Sequence, residues 1–243
     1  LRQLNEGATA SSESGTEPTT AQLPLSPPTP RAYETITDAD TLKRWLERLA
    51  AADVVSLKVK ATSGDYMQAQ LVGLALCIET GKAAYVPLAH DYAGAPAQLS
   101  QAAVFDALKP LLESERVRKL GHNLKFDAHV LKRNGIDLQG LHFDSMLESY
   151  VWNSTATRHD LDALARKYLG VETMSYDQVA GRGAKQIGFN QVSLEIATQY
   201  AAEEVDIALQ IHQALWAKIE AAPAVANLYT QIEQPLEPVL LRM

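Results

Sequence analysis

The sequence has little of what a secreted or membrane protein requires. Its 243 residues include a single cysteine, Cys77, so no disulfide can form within the chain. It has no run of about 18 apolar residues and no signal-peptide pattern. Cys77 itself lies in an apolar run, where a buried structural thiol is expected. These absences predict a cytoplasmic protein with no membrane attachment.

An excess of positive charge is also missing, because the formal net charge is -7 at pH 7. This excludes nucleic-acid binding through overall charge, although an acidic domain can still carry a local basic groove. Heptads and exposed apolar helix faces are not evident, which predicts a monomer. With 47% hydrophobic residues the chain can bury one core of ordinary size.

Domain organisation follows from composition. Residues 7–30 are rich in Ser, Thr, Glu, Gly and Pro and cannot bury enough surface to fold, so residues 1–32 are predicted to be a flexible inter-domain linker. One globular domain should span residues 33–222. The chain starts without methionine and stops at Met243 within a helical pattern, which suggests a piece of a longer polypeptide.

Periodicity predicts a mixed sheet covered by helices, an α/β fold. Three strands joined by short turns should form an antiparallel beginning, and strands then alternate with helices. The predicted strands are 54–60, 70–78, 83–88, 117–120 and 141–143. The predicted helices begin near residues 37, 100, 124, 145 and 193, with a loop over 176–189 and the last helix ending near 220.

The first of these strands carries an unusual pair of charges. Alternation places Leu57 and Val59 on one face and Lys58 and Lys60 together on the other. A central strand should be apolar on both faces unless it belongs to a site. Two ammonium groups can hold anions, but they cannot ligate a metal.

Two further residue pairs are spaced for chemistry. Asn123 and Asp127 are four apart at a predicted helix start, and Tyr200 and Glu204 are four apart on the last helix. Taken singly, such residues are more often caps or solvated charges. Their order after the lysine strand makes the combination a candidate site.

These motifs resemble the 3'-5' proofreading exonuclease domain of bacterial DNA polymerase I. The likeness extends from Tyr33 to Met243, and its clearest segments are 71–74, 84–87, 89–92, 108–112, 123–127, 143–150, 158–160 and 200–203. The resemblance implies an RNase H-like fold of the DEDD exonuclease type. It also implies covalently linked neighbours, a 5'-nuclease domain before the chain and a polymerase domain that starts at residues 223–243.

The resemblance also implies where a catalytic site should lie. In active relatives, four carboxylates hold two Mg or Mn ions at a single-stranded DNA 3' end, and a tyrosine orients the attacking water. The first two carboxylate positions fall on Lys58 and Lys60, and the other two fall on Asp127 and Glu204. The water-orienting position falls on Tyr200. Nucleic-acid contacts are implied for Asn123 and for Tyr176, which occupies the place of an aromatic residue near the terminal nucleotide.

The two lysines change the expected chemistry. A Lys nitrogen about 4 Å from a divalent ion is repelled by roughly 8 kcal/mol at an effective dielectric of about 20. We therefore expect no bound metal and no cleavage, with Lys58 and Lys60 paired to Asp127 and Glu204. Three alternatives stay open: slow cleavage with one ion, single-strand binding through Lys58, Lys60 and Tyr176, or lysines that merely extend to solvent from a strand edge.

Other candidates are weaker. His122 and His129 flank the Asn-to-Asp turn without the spacing of a zinc site, so surface or capping roles are expected. The basic segment 181–185 can touch a DNA backbone, but it lacks the context of a P-loop.

Overall fold

A computed structural model describes residues 31–155 and 157–243 of the chain. Within these residues a mixed sheet lies between two groups of helices. Its strands are β1 (Ala32–Thr35), β2 (Val54–Ala61), β3 (Leu71–Glu79), β4 (Lys82–Pro87), β5 (Arg118–Gly121) and β6 (Leu141–Asp144). Their order across the sheet is β1-β4-β3-β2-β5-β6. The α/β fold class is therefore confirmed.

The helices account for most of the remaining chain. They are α1 (Ala39–Ala50), α2 (Gln101–Leu112), α3 (Leu124–Arg133), α4 (Ser145–Trp152), α5 (Leu161–Leu164), α6 (Tyr176–Ala180), α7 (Leu194–Glu220), α8 (Pro223–Leu228) and α9 (Gln234–Leu240). Two π-helical turns follow α5 and α8, at Ala165–Leu169 and Tyr229–Glu233. Among the described residues, no helix combines the length and apolar character of a membrane span.

Strand β2 lies inside the sheet, antiparallel to β3 and parallel to β5. The predicted antiparallel run of three strands is confirmed, since β3 also pairs antiparallel with β4. Strand β1 was not predicted. It pairs parallel with β4 at the edge of the sheet, and four residues are too few for periodicity to reveal it.

The two faces of β2 meet different helices, as its alternation predicts. Leu57 and Val59 are buried in the core that α1, α2 and α3 cover. Ser56, on the opposite face, donates a hydrogen bond of 2.8 Å to the carbonyl oxygen of Val205 in α7. Lys58 and Lys60 share that face, so they point towards the longest helix of the fold.

The segment 176–189, predicted as a loop, is partly helical. It contains α6 and a 3-10 turn at Gly183–Lys185, and a second 3-10 turn follows at Phe189–Gln191. Helix α6 begins with a capping box, in which the Ser175 N–H donates to Gln178 Oε1 at 2.7 Å. One capped turn stabilises a helix too short to show an apolar period.

The residues after α7 pack back onto β6. Tyr229 is buried, and its hydroxyl donates to the carbonyl oxygen of His142 at 3.2 Å. The Gln234 amide donates to the carbonyl oxygen of Leu141 at 2.7 Å. That residues 223–243 begin a polymerase domain stays a prediction, and the predicted linker lies outside the described residues except for its last two positions.

Candidate active site

Three elements bring the predicted site residues together. Strand β2 supplies Lys58 and Lys60, the first turn of α3 supplies Asp127, and α7 supplies Tyr200 and Glu204. All five side chains meet where the end of β2 passes between the two helices. The lysines and the two carboxylates face each other, as the ion-pair hypothesis predicts.

Lys58 is held by α3 and by the residues before it. Its Nζ lies 3.0 Å from Asp127 Oδ2 and 3.0 Å from the carbonyl oxygen of His122. Asp127 is fully buried, and its other oxygen accepts a 2.8 Å hydrogen bond from the backbone N–H of Val59. Both carboxylate oxygens of Asp127 are therefore committed to β2.

Lys60 is held by α7. Its Nζ forms a salt bridge with Glu204 and lies 4.0 Å from the centre of the Tyr200 ring and 5.3 Å from that of Phe189. The residue is only 7% exposed. Aromatic faces attract a cation, so the two rings help to compensate the burial of this ammonium group.

The charges of the site shift one another's pKa values. Burial alone would lower the pKa of Lys58, but the carboxylates of Asp127 and Glu204 reverse this and raise it. Burial lowers the pKa of Lys60 against the opposing effect of Glu204. Burial raises the pKa of Asp127 to about 6 in spite of Lys58.

The pKa of Glu204 is lowered. Burial acts to raise it, but the two lysines outweigh burial. Burial and then the Glu204 carboxylate raise the pKa of Tyr200, whose phenol is therefore neutral at physiological pH. Carboxylates and ammonium groups compensate each other here without any added ion.

The site residues do not match the divalent ions that the resemblance implies. Within residues 31–155 and 157–243, no three His, Cys, Asp or Glu side chains converge as metal ligands. Asp127 and Glu204 are each occupied by an ammonium group, which has no lone pair to offer a metal. This donor set does not fit a two-ion centre.

Asp144 is a structural element of the site that the residue pattern did not identify. It is fully buried at the end of β6, and its carboxylate accepts hydrogen bonds from the backbone N–H groups of Asn123 at 3.1 Å, Leu124 at 2.7 Å and Met146 at 2.9 Å. One side chain thereby caps α3 and α4 together. The available signal was an aspartate between a strand and a helix.

Asn123 and Tyr176 lie at the edge of this arrangement. Asn123 precedes α3 in a left-handed conformation with φ of 63°, and its side chain makes no capping hydrogen bond. Tyr176 is 37% exposed, and its ring centre lies 6.1 Å from that of Tyr200 and 6.5 Å from that of Phe189. Tyr176 therefore continues the aromatic group around Lys60 out to the surface.

The weaker candidates lie apart from one another. The half-buried His122 ring is hydrogen-bonded to Ser145 Oγ at 2.9 Å, and burial lowers its pKa. His129 stacks against Tyr66 with ring centres 4.2 Å apart. Arg182, in the basic segment 181–185, pairs with Asp177 at 2.6 Å.

Comparison with known proteins decides the family. The family model described as 3'-5' exonuclease matches residues 33–220. The chain belongs to the 3'-5' exonuclease domains of DNA polymerase I. It is 48% identical over 213 residues to DNA polymerase I of Pseudomonas aeruginosa, covering 87% of this chain and 23% of that protein. It is 40% identical over 229 residues to DNA polymerase I of Rhizobium leguminosarum, with 87% and 22% covered.

The exonuclease domain thus spans about a quarter of the length of these relatives. Its fold is similar to the polymerase domain of Pol1 from M. smegmatis in complex with DNA primer-template and dNTP, with a TM-score of 0.66 and 19% identity over 86% of this chain and 31% of that one. It is also similar to Brucella melitensis NrnC with bound Mg2+, with a TM-score of 0.59 and 17% identity over 88% and 91% of the two chains. These neighbours confirm the RNase H-like exonuclease fold.

Proposed function

We propose that this exonuclease domain has lost metal-dependent cleavage and serves as a structural domain of a DNA polymerase I. The observation that carries the proposal is the pairing of Lys58 with Asp127 and of Lys60 with Glu204. Each ammonium group lies where the family pattern has a carboxylate, and each neutralises a carboxylate that the pattern retains.

Electrostatics supports this interpretation. Two-metal cleavage requires negative charge around both ions, and here two positive charges replace two negative ones. A divalent ion entering the site would meet the ammonium groups of the buried Lys60 and the half-buried Lys58. Each would repel it by roughly 8 kcal/mol at about 4 Å and an effective dielectric of about 20. It would also have to separate two ion pairs that already satisfy Asp127 and Glu204.

A structural role is supported by the C-terminal helices. Leu228, Ile232 and Leu236 recur every four residues and are 38%, 56% and 42% exposed. Apolar side chains aligned on one helical face are the kind of surface that packs against another domain. We therefore propose that residues 223–243 begin the polymerase domain, and that the exonuclease domain links it to a 5'-nuclease domain.

The test is degradation of a 3'-mismatched single-stranded oligonucleotide in Mg or Mn. The chain and its revertant K58D/K60E/E204D are compared, with the revertant carrying D127A as the matched control. We expect cleavage by the revertant alone, abolished by D127A. Cleavage by the unaltered chain that D127A abolishes would overturn the proposal and support a single-ion exonuclease at Asp127 and Glu204.

A second candidate is single-strand binding at the site itself, favoured by the exposed ring of Tyr176. It requires Lys58 or Lys60 to leave its carboxylate for a phosphate. The pairing of both lysines and the burial of Lys60 weigh against this. Loss of oligonucleotide affinity in K58Q/K60Q and in Y176A, with no loss in the exposed variant K43Q, would support it.

A further inference from the structure

The outer face of α3 carries two lysines and a histidine. Lys125, His129 and Lys132 are separated by four and three residues, so they lie on one face, and that face is turned away from Asp127. Arg133 adjoins them at the end of the helix. Among the described residues, neither of the two lysines forms a salt bridge with a carboxylate, and Arg133 forms none either.

Two other surface lysines of the domain are paired with carboxylates. Lys82 lies 2.8 Å from Glu79, and Lys109 lies 3.5 Å from Glu113. Lys82 and Lys109 are neutralised locally, whereas Lys132 and Arg133 are exposed, Lys125 is half-buried, and none of the three has a carboxylate at salt-bridge distance among the described residues. In a chain with a net charge of -7, these three cations on one short helix form a local basic patch.

An aromatic ring is fixed beside these charges. The Tyr66 ring stacks on the His129 ring with centres 4.2 Å apart and an angle of 11° between planes. Tyr66 is 39% exposed, so part of its ring remains accessible. Burial and the neighbouring charges of Lys125 and Lys132 lower the pKa of His129, so the stacked imidazole is neutral at physiological pH.

The loop that presents Tyr66 is tied to α3. Arg133 Nη1 donates to the carbonyl oxygens of Tyr66 at 2.6 Å and of Ala69 at 3.2 Å. Within the loop, the Met67 N–H donates to Asp65 Oδ1 at 2.9 Å. The ring is therefore held in place before any ligand arrives, which lowers the entropic cost of binding.

We propose that Tyr66, Lys125, His129, Lys132 and Arg133 form a binding surface for single-stranded nucleic acid. A base would stack on the Tyr66 ring while Lys125 and Lys132 contact backbone phosphates. Stacking rings beside cations are the combination by which single strands are bound without sequence preference, whereas a duplex hides its base faces. The loop follows directly after β2, so this surface begins next to the lysine pairs and uses neither of them.

The experiment measures binding of a fluorescently labelled oligo-dT by anisotropy, in EDTA and at several salt concentrations. The chain is compared with K125Q/K132Q, Y66S and Y66F. The matched control K43Q/K82Q removes the same charge from α1 and β4. Binding in EDTA is independent of cleavage, so its outcome is distinguishable from that of the nuclease assay.

We expect K125Q/K132Q to weaken binding at least 10-fold and to reduce the slope of log affinity against log salt by about 0.7 for each phosphate that is no longer neutralised. Y66S should weaken binding about 5- to 150-fold, and Y66F should bind like the parent, because only the ring is needed for stacking. Any of three results would overturn the proposal: no binding by the parent at low salt, equally weakened binding in K125Q/K132Q and K43Q/K82Q, or equal affinity for duplex DNA.

Discussion

Replacing Glu204 with glutamine distinguishes a carboxylate paired with lysine from a carboxylate in a metal site, because the two cases predict changes in stability of opposite sign. In a group of clustered carboxylates, removing one negative charge relieves repulsion and stabilises the protein in the absence of metal. Here the same change leaves Lys60, which is 7% exposed, without its counter-charge. E204Q should therefore destabilise the domain.

The expected magnitude follows from the burial of the pair. Breaking a buried ion pair by removing one partner costs about 3–5 kcal/mol. The Glu204 side chain retains 19% exposure, and the Tyr200 ring lies 4.0 Å from the ammonium group, so both reduce the loss. We expect E204Q to lower the free energy of unfolding by about 2–3 kcal/mol and K60M/E204Q to lie within about 1 kcal/mol of the parent.

The assay is urea unfolding of the parent, K60M, E204Q and K60M/E204Q in EDTA, from which a double-mutant cycle gives the coupling energy. We expect a coupling of at least about 2 kcal/mol at pH 7, because the cost of K60M adds to that of E204Q. The pKa of Glu204 is lowered from its usual 4.5 in the folded state, so its contribution is present above that pH. It should be lost as the pH falls through the lower folded-state pKa.

A coupling below about 0.5 kcal/mol would refute the reasoning, because residues in contact within a network couple more strongly than this. An increase in stability in E204Q would refute it as well, since that is the result expected of mutually repelling carboxylates. The variant K43Q, on the exposed face of α1, controls for a general effect of losing one lysine.

Three other substitutions test the packing around the site by urea unfolding. Asp144→Ala removes the shared acceptor of three backbone N–H groups and should cost about 2–4 kcal/mol. Gly73→Ala places a methyl group against the buried Tyr85 hydroxyl and should cost about 1–3 kcal/mol. Glu148→Gln should flatten the pH dependence of stability. Glu148 Oε2 is buried without a hydrogen-bond partner among the described residues, and burial raises the pKa of this carboxyl. Its ionisation therefore lowers the stability of the parent as the pH rises above the usual pKa of 4.5, whereas the glutamine cannot ionise and can keep the contact with His212.

Each of these expectations has a contrary outcome. A loss of stability in the exposed variant Asp137→Ala equal to that in Asp144→Ala would contradict the shared-cap role. Parent-like stability in Gly73→Ala would mean that Tyr85 moves at little cost. An unchanged pH profile in Glu148→Gln would show that the pKa of this carboxyl is not raised above its usual 4.5 in the folded protein.

Local chemistry accounts for the parts of the fold that the sequence predicted. Helix α1 follows from Asp38, whose carboxylate accepts the Thr41 N–H at 2.8 Å, and from the apolar spacing of Leu42, Trp45 and Leu49. Strand β2 follows from strict alternation. Strand β1 and helix α6 escaped prediction because each is only four or five residues long and depends on a pairing partner or a cap.

The sequence by itself determined that two ammonium groups stand on one face of a strand, and the family resemblance implied that Asp127 and Glu204 lie near them. It did not determine which carboxylate each lysine pairs with, since that depends on how α3 and α7 pack against β2. Only the tertiary structure decided that Asp144 joins α3, α4 and β6, because its three donors come from segments over 20 residues apart along the chain. Spacing along one element is encoded locally, whereas contacts between elements depend on the packing of the whole core.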